Sequence, residues 1–345
     1  MRRGRWIGLA AIPLVVLALH FAYWRYLGGQ LRDGFAAWAD AQRAAGWTVS
    51  ADAGAVGGWP LHATLPLRNV RIVGGGDLVP KGIAWQSPAV TLGLSLLDPR
   101  ELALTATGRQ SLTIGGGPAM PVDADQLGAT LPLGTDGAPV AVDLLARQVT
   151  AGVLPAQGAR GQLSVGLLQA HLGLQRHDGA FPYAISTEAI ALPTAVRWPL
   201  GEHVASASTE GTVSGTFGTS GSRAERAAAW RGSGGSVEVS RFALGWGPLG
   251  LSATATLALD EQLQPMGAGT ARLVGYDAAL DALAANGALS RSAVVAAKAV
   301  LSLLAPAPGD GEPSAVDVPL TLQYRTLSMR QIPLIRLPEL DWTGP

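Results

Sequence analysis

The chain has no cysteine among its 345 residues. Disulfides, thiolate nucleophiles and cysteine-ligated zinc are excluded, and the count is neutral between oxidising and reducing compartments. Charge is scarce: Asp, Glu, Lys and Arg make up 14% of the residues, against roughly 25% in ordinary soluble domains. Basic and acidic residues balance at 25 each, so there is no electrostatic footprint for nucleic acid. The five histidines are scattered and form no H-E-x-x-H pattern. Gly115-Gly116-Gly117 lacks the Lys and Ser/Thr that complete a P-loop, and Gly267-x-Gly269 does not complete a dinucleotide fingerprint. No G-x-S-x-G elbow occurs. Glu202-His203 is an adjacent pair without helical spacing and reads as loop. Asp123 and Asp125, on one face of a strand, read as a solvated face. The expectation is a non-enzyme with no catalytic residue, cofactor or metal.

Apolar residues, by contrast, reach 48%, with 45 Gly and 23 Pro. That mixture disfavours a helical bundle and suits many turns between strands. The fold class expected is mainly β (α+β): long curved antiparallel sheets or an open barrel, a few helices, and one N-terminal transmembrane helix.

Trp6 to Trp24 reads WIGLAAIPLVVLALHFAYW, without a formal charge, close to the roughly 20 residues that cross a bilayer. Arg2, Arg3 and Arg5 precede it and place the N-terminus in the cytoplasm. Trp6 at one end, and Tyr23, Trp24 and Tyr26 at the other, match interfacial aromatic belts. His20 falls near the headgroups, and Pro13 is tolerable in a membrane helix. Cleavage after Ala18 is the competing reading. The apolar run continues past that point and no Ala-x-Ala follows, which favours an uncleaved anchor. The expected division is a cytoplasmic tail (1–5), a signal anchor (6–26), an N-terminal β-rich module (27–200) and a C-terminal β-rich module with helices (201–345). Gly28-Gly29 reads as a hinge, and Gln30 to Ala45 as an amphipathic helix with Leu31, Phe35 and Trp38 on one face and Gly46 as its cap.

Beyond Gly46 the apolar period becomes two. Leu61, Ala63, Leu65 and Leu67 alternate, the phase slips at Arg68-Asn69, and Val70 and Ile72 resume it, which predicts a bulge. Val90, Leu92, Leu94 and Leu96 follow, then Leu102, Leu104 and Ala106. Further strands are expected at 138–149, 161–174, 181–190, 204–217 and 236–242. Leu249 to Leu259 is the cleanest alternation. Ser222 and Glu225 form a capping box for a helix over 222–231. Asp277 and Ser290 are the caps expected for two later helices. Pro319, inside the alternating run 316–324, points to an edge strand. The turns Gly58-Trp59-Pro60 and Trp246-Gly247-Pro248 each open an apolar-alternating run.

These turns also carry a family resemblance. With the basic anchor, they are joined by Trp85-Gln86-Ser87-Pro88, Trp230-Arg231 with Gly234-Gly235, Leu259-Asp260 and Gln264-Pro265. In these features the chain resembles the alphaproteobacterial domain-of-unknown-function family 2125, over almost its whole length. Trp59 departs from the Phe expected there, and still fills an aromatic turn position. A looser similarity is to AsmA-type envelope proteins, at the level of fold. The resemblance implies a single-pass protein of a Gram-negative inner membrane with its body in the periplasm. It implies no activity and no catalytic residues.

The apolar strand faces are the functional lead. Leu92, Leu94, Leu249, Leu251, Leu257 and Leu259 are the expected lining of an apolar groove, if that face is not ordinary covered core. The expectation is a membrane-anchored periplasmic protein that binds lipid or another apolar envelope component. The alternative is a periplasmic scaffold or assembly partner without a ligand.

Overall fold

The structure is a computed structural model, and it describes residues 3–75, 82–153, 161–177, 179–216, 218, 221–304, 315–329 and 332–342, with side chains from Ile12 onward. It opens with α1 (Arg3–Ala44), β1 (Thr48–Ala53), β2 (His62–Gly74) and β3 (Ile83–Ser95). Four short strands follow: β4 (Glu101–Thr107), β5 (Gln110–Ile114), β6 (Met120–Asp123) and β7 (Gln126–Pro132). Then come β8 (Ala141–Val153), β9 (Gly161–Gly173), β10 (Ala180–Ala191), β11 (His203–Ser214), α2 (Arg223–Gly232), β12 (Val237–Trp246), β13 (Leu249–Leu259) and β14 (Pro265–Val274). The chain closes with α3 (Tyr276–Ala285), α4 (Arg291–Leu304), β15 (Ala315–Gln323), β16 (Thr326–Met329) and β17 (Ile332–Arg336).

All strands join one antiparallel sheet in which almost every strand pairs with its neighbour in sequence. β4 and β5 are two pieces of one row: β3 pairs with β4 from Ala89 to Leu94 and with β5 from Ile83 to Gln86. β7 and β6 are likewise one row, both against β8. Among the described residues β1 and β17 have a partner on one side only, so the sheet is open. β10 pairs with β11 from Ala191↔His203 back to Ala180↔Ser214, so the sheet runs unbroken through residue 200, where the sequence divides into two expected modules.

A line of irregular backbone crosses this sheet from β2 to β11. It begins at Asn69 (φ 51°) and meets Pro88 of β3, the β4–β5 break at Gly108, and the β6–β7 break at Ala124-Asp125. It continues through Gln148 (φ 49°), Gly166 opposite Ala189 (φ 52°), and a register shift at Ala205. Positive φ is uncommon outside glycine, and here such residues line up row after row. At each row the side-chain alternation slips by one, so both arms keep their apolar residues on the same face. On that face Leu67, Val70, Ser87, Val90, Gln110, Ala146 and Val204 are buried along the line. On the opposite face Arg68, Asn69, Pro88, Gly108, Arg147, Gln148, Ala189 and Ala205 are exposed. The sheet is therefore creased toward its apolar face, forming a trough with a polar outside. Ser87 Oγ donates to the Ala89 carbonyl at 3.0 Å and Gln110 Nε2 to the Gly108 carbonyl at 2.8 Å, which satisfies backbone that the crease takes out of the ladder.

Helices occupy both ends. Trp24, Leu27 and Leu31 of α1 lie on Ala63, Leu65, Leu67, Leu92 and Leu94. Tyr276 of α3 and Leu301 of α4 lie on Val316 and Val318 of β15. The Ser222–Glu225 capping box and the Ser290 cap form as expected. Two local expectations fail. Gly28-Gly29 is no hinge, because α1 is continuous through it and Gly28 is the point where the Val56 side chain approaches: an added Cβ would stand 2.5 Å from Val56 Cγ1. Asp277 is not the cap of α3, because Gly275 (φ 70°) holds that position without a side-chain bond. Pro319 is edge-like locally, since β16 pairs β15 only from Leu320 onward.

Candidate functional site

The inner face of the trough is mostly apolar, with Ser87, Gln110, Thr187 and Thr209 as polar members. Reading across by register, Leu144 faces Ala170, which faces Ile185. On the other arm Val149 faces Val165, which faces Ile190. Further along, Val213, Val237 and Leu257 form one row and Ala207, Leu244, Leu251 and Leu273 another. Among the described residues the helices touch only parts of this face. α1 packs on β1–β3, while α2 and α3 reach β13 and α4 reaches β15. Over β8–β12 Ala146 and Val204 on the crease line are buried, most other inner residues are half-buried, and Leu172 and Ile185 are 44% and 38% exposed. Five strands at about 4.8 Å give this open stretch a length of roughly 20 Å along the crease.

The structure separates the six expected groove residues. Leu92 and Leu94 are each 6% exposed beneath α1, so their part of the face is closed core. Leu249, Leu251, Leu257 and Leu259 are half-buried on β13, where α3 begins to cover it. The open stretch falls between these groups, on residues not singled out from the sequence. The signal for them lies in the slips from Ala146 to Val149 and from Thr187 to Ile190, which repeat the one at Leu67 to Val70.

The two Trp turns do different work at opposite rims. Gly58 takes φ 86°, where a Cβ would meet the His62 carbonyl at 2.7 Å, and the Trp59-Pro60 bond is cis. This turn clasps α1: Trp24 Nε1 donates to the Gly57 and His62 carbonyls at 3.2 and 3.0 Å. At the other rim Trp246 ends β12, its ring nitrogen donating to the Gly201 carbonyl at 2.8 Å and its ring edge-on to Trp198. Pro248 follows in the exposed turn, its carbonyl beside Gly275. Trp230 donates to the Ser214 carbonyl at 2.7 Å, over Gly215 and Gly235. Gln264 is buried and bonded both ways to the Leu340 backbone. These motif residues shape turns and hold the crossing segments down.

The outer face carries a shallow dish of about 530 Å³ lined by Thr130, Asp143, Gln169, His171, Ser186, Glu210 and Arg241. His171 Nδ1 meets Asp143 Oδ1 at 2.6 Å and Arg241 meets Glu210 at 3.3 Å. These side chains are 45–70% exposed, so water screens the pairs. No serine hydroxyl bonds His171 among the described residues. Among them no three His, Asp or Glu side chains gather as a metal site. Asp123 pairs with Arg109 at 2.9 Å, and the β6–β7 break separates it from Asp125, so the expected shared strand face does not form.

The first part of the expected span, Trp6 to Ala11, has its side chains outside the described residues. Among the described residues no helix is long and apolar enough to cross a membrane. From Ile12 to Leu19 every side chain of α1 is exposed, including Leu14 at 67%, Val16 at 59% and Leu19 at 66%.

No curated protein and no solved structure matches this chain. A family model described as an uncharacterized protein conserved in bacteria matches residues 24–338, which takes in the whole trough. The chain belongs to that family, DUF2125.

Proposed function

We propose that this is a non-enzymatic envelope protein that holds the alkyl chain of a lipid-like molecule in the open middle of its trough. The observation that carries this reading is the apolar inner face, continuous across the sheet but covered by helices only at its ends. A water-exposed apolar surface of this extent marks a binding site more often than idle surface. Its roughly 20 Å length exceeds the roughly 15 Å depth of one bilayer leaflet's hydrocarbon. Between Ala146 and Val204 the floor carries the Thr187 hydroxyl, which is engaged in donating to the Ala207 carbonyl at 3.1 Å, so the recognised part is the chain and the headgroup stays in solvent.

The same reading places α1 in the bacterial inner membrane as a single-pass anchor, with the body in the periplasm. Exposed apolar side chains on all sides of residues 12–19 support it, as do the arginines ahead of the span. The test is native mass spectrometry of the full chain released from mild detergent. Adducts of lipid mass are expected, and Ile185→Asp is expected to remove them while the fold persists. A chain free of adducts, and unable to take up a fluorescent fatty acid, overturns the reading.

A second reading rests on β17. Ile332, Leu334 and Ile335 are 50%, 52% and 55% exposed on a strand whose second edge has no partner among the described residues, a ready template for strand addition by an envelope partner. Crosslinking in cells from position 334 that recovers only this chain counts against it.

A further inference from the structure

The helix α1 passes from bare to buried within one turn, from Phe21 at 49% exposure to Trp24 at 8%. The turn 57–61 is bonded to that transition. His20 Nε2 donates to the Pro60 carbonyl at 2.7 Å and its ring lies edge-on to Trp59 at 6.4 Å. The Leu96 amide donates to the Leu61 carbonyl at 3.0 Å, which draws the β3–β4 turn alongside. Three large apolar side chains point outward from this corner: Trp59, Leu61 and Leu97 are 47%, 56% and 88% exposed. Asp98, next to Leu97, accepts from the Arg100 amide at 3.2 Å, so its carboxylate is engaged by its own turn.

The position along α1 decides what this corner faces. Tyr23 and Tyr26, 38% and 60% exposed, form the aromatic belt of the anchor, while Trp24 of the expected belt is turned into the sheet. His20 lies four residues before Trp24, about 6 Å further toward the bilayer centre at 1.5 Å per residue. Trp59 and Pro60 stand beside His20, so they reach the same depth. We propose that Trp59, Leu61 and Leu97 insert into the interfacial layer of the bilayer that holds α1. They make a second membrane contact of the body and fix its tilt. The occupant is the lipid surface itself. Tryptophan favours that layer, and leucine gains by leaving water. The proposal rests on the anchor reading of α1. Because α1 has no break at Gly28-Gly29, the body has one rigid connection and this corner is the part of it nearest the lipid.

The absence of cysteine makes the test direct, since single-cysteine variants need no background substitutions. Full chains carrying Leu17→Cys, Leu97→Cys or Ala195→Cys are labelled with an environment-sensitive fluorophore and placed in phosphatidylglycerol nanodiscs. Quencher-bearing lipids of two depths are then added. Leu97→Cys is expected to lose roughly half its emission to the shallow quencher, as an interfacial group does. Leu17→Cys should lose as much to the deep one, and Ala195→Cys, at the opposite rim, should lose none. Quenching at 17 without quenching at 97 overturns the docking and leaves the anchor standing. No quenching at 17 removes the anchor, and the docking with it. Equal quenching at 195 and 97 overturns a specific corner contact.

Discussion

Truncating one apolar side chain at a time distinguishes the covered part of the inner face from the open part. Leu65 is 0% exposed, enclosed by Leu92, Leu27 and Leu31. Leu65→Ala loses the transfer energy of the removed methyl groups and leaves a cavity that α1 cannot fill, a cost of about 4 kcal/mol. Ile185 sits on the same face but is 38% exposed, with no helix above it. Ile185→Ala loses only part of a burial worth about 1.5–3 kcal/mol when complete, and water already reaches the site, so no cavity term is added. Its expected cost is about 1 kcal/mol, roughly 3 kcal/mol less than at Leu65. Urea-dependent proteolysis of the full chain in lipid nanodiscs measures both variants under identical conditions. Equal costs at the two positions would refute the reasoning, because they would mean that the middle of the trough is packed as tightly as its end.

Gly108→Ala should destabilise the crease, since Gly108 takes φ 81° and an added Cβ would stand 2.7 Å from Pro88 Cγ. The left-handed backbone alone costs about 1–2 kcal/mol, readable in the same proteolysis assay. In α2 the Ser222 backbone N–H, and then its hydroxyl, hold the Glu225 carboxyl below its ordinary value of 4.5. That support is complete above the ordinary value and is lost as pH falls through the lower folded value. Amide exchange in α2 should therefore accelerate on acidification below about pH 4.5, and Glu225→Gln should flatten that dependence. Val15→Arg combined with Leu17→Arg adds roughly 2.5–3.5 kcal/mol per charge near the centre of a span. It should release the chain from membranes on alkaline carbonate extraction, and full retention would contradict the anchor.

Much of the fold was legible because it rests on local chemistry. The alternation from Leu249 to Leu259 is strand β13 residue for residue, and the Ser222–Glu225 box starts α2 as its spacing requires. The slip at Arg68-Asn69 marks the positive φ of Asn69. What the sequence hid is that the same slip recurs at Gln148 and Ala189, and that antiparallel register sets these points side by side. A crease belongs to several strands at once, and periodicity is read one strand at a time. Which part of the apolar face lies under a helix was hidden for a related reason. Leu92 and Leu94 are as apolar as Leu144 and Ile185, and only the path of α1 decides which pair is covered. That path depends on Gly28 passing against Val56 without a hinge, where two adjacent glycines had indicated a bend.

The central claim is that the middle of the trough holds an alkyl chain. Photocrosslinking residues placed in the full chain at Leu144, Leu168 and Ile185 on the inner face, and at Gln169 and Glu188 on the outer face, test it in intact cells fed a labelled fatty acid. The account predicts lipid crosslinks at the three inner positions and none at the two outer ones. Absence of crosslinks at the inner positions, or equal labelling of both faces, would contradict it.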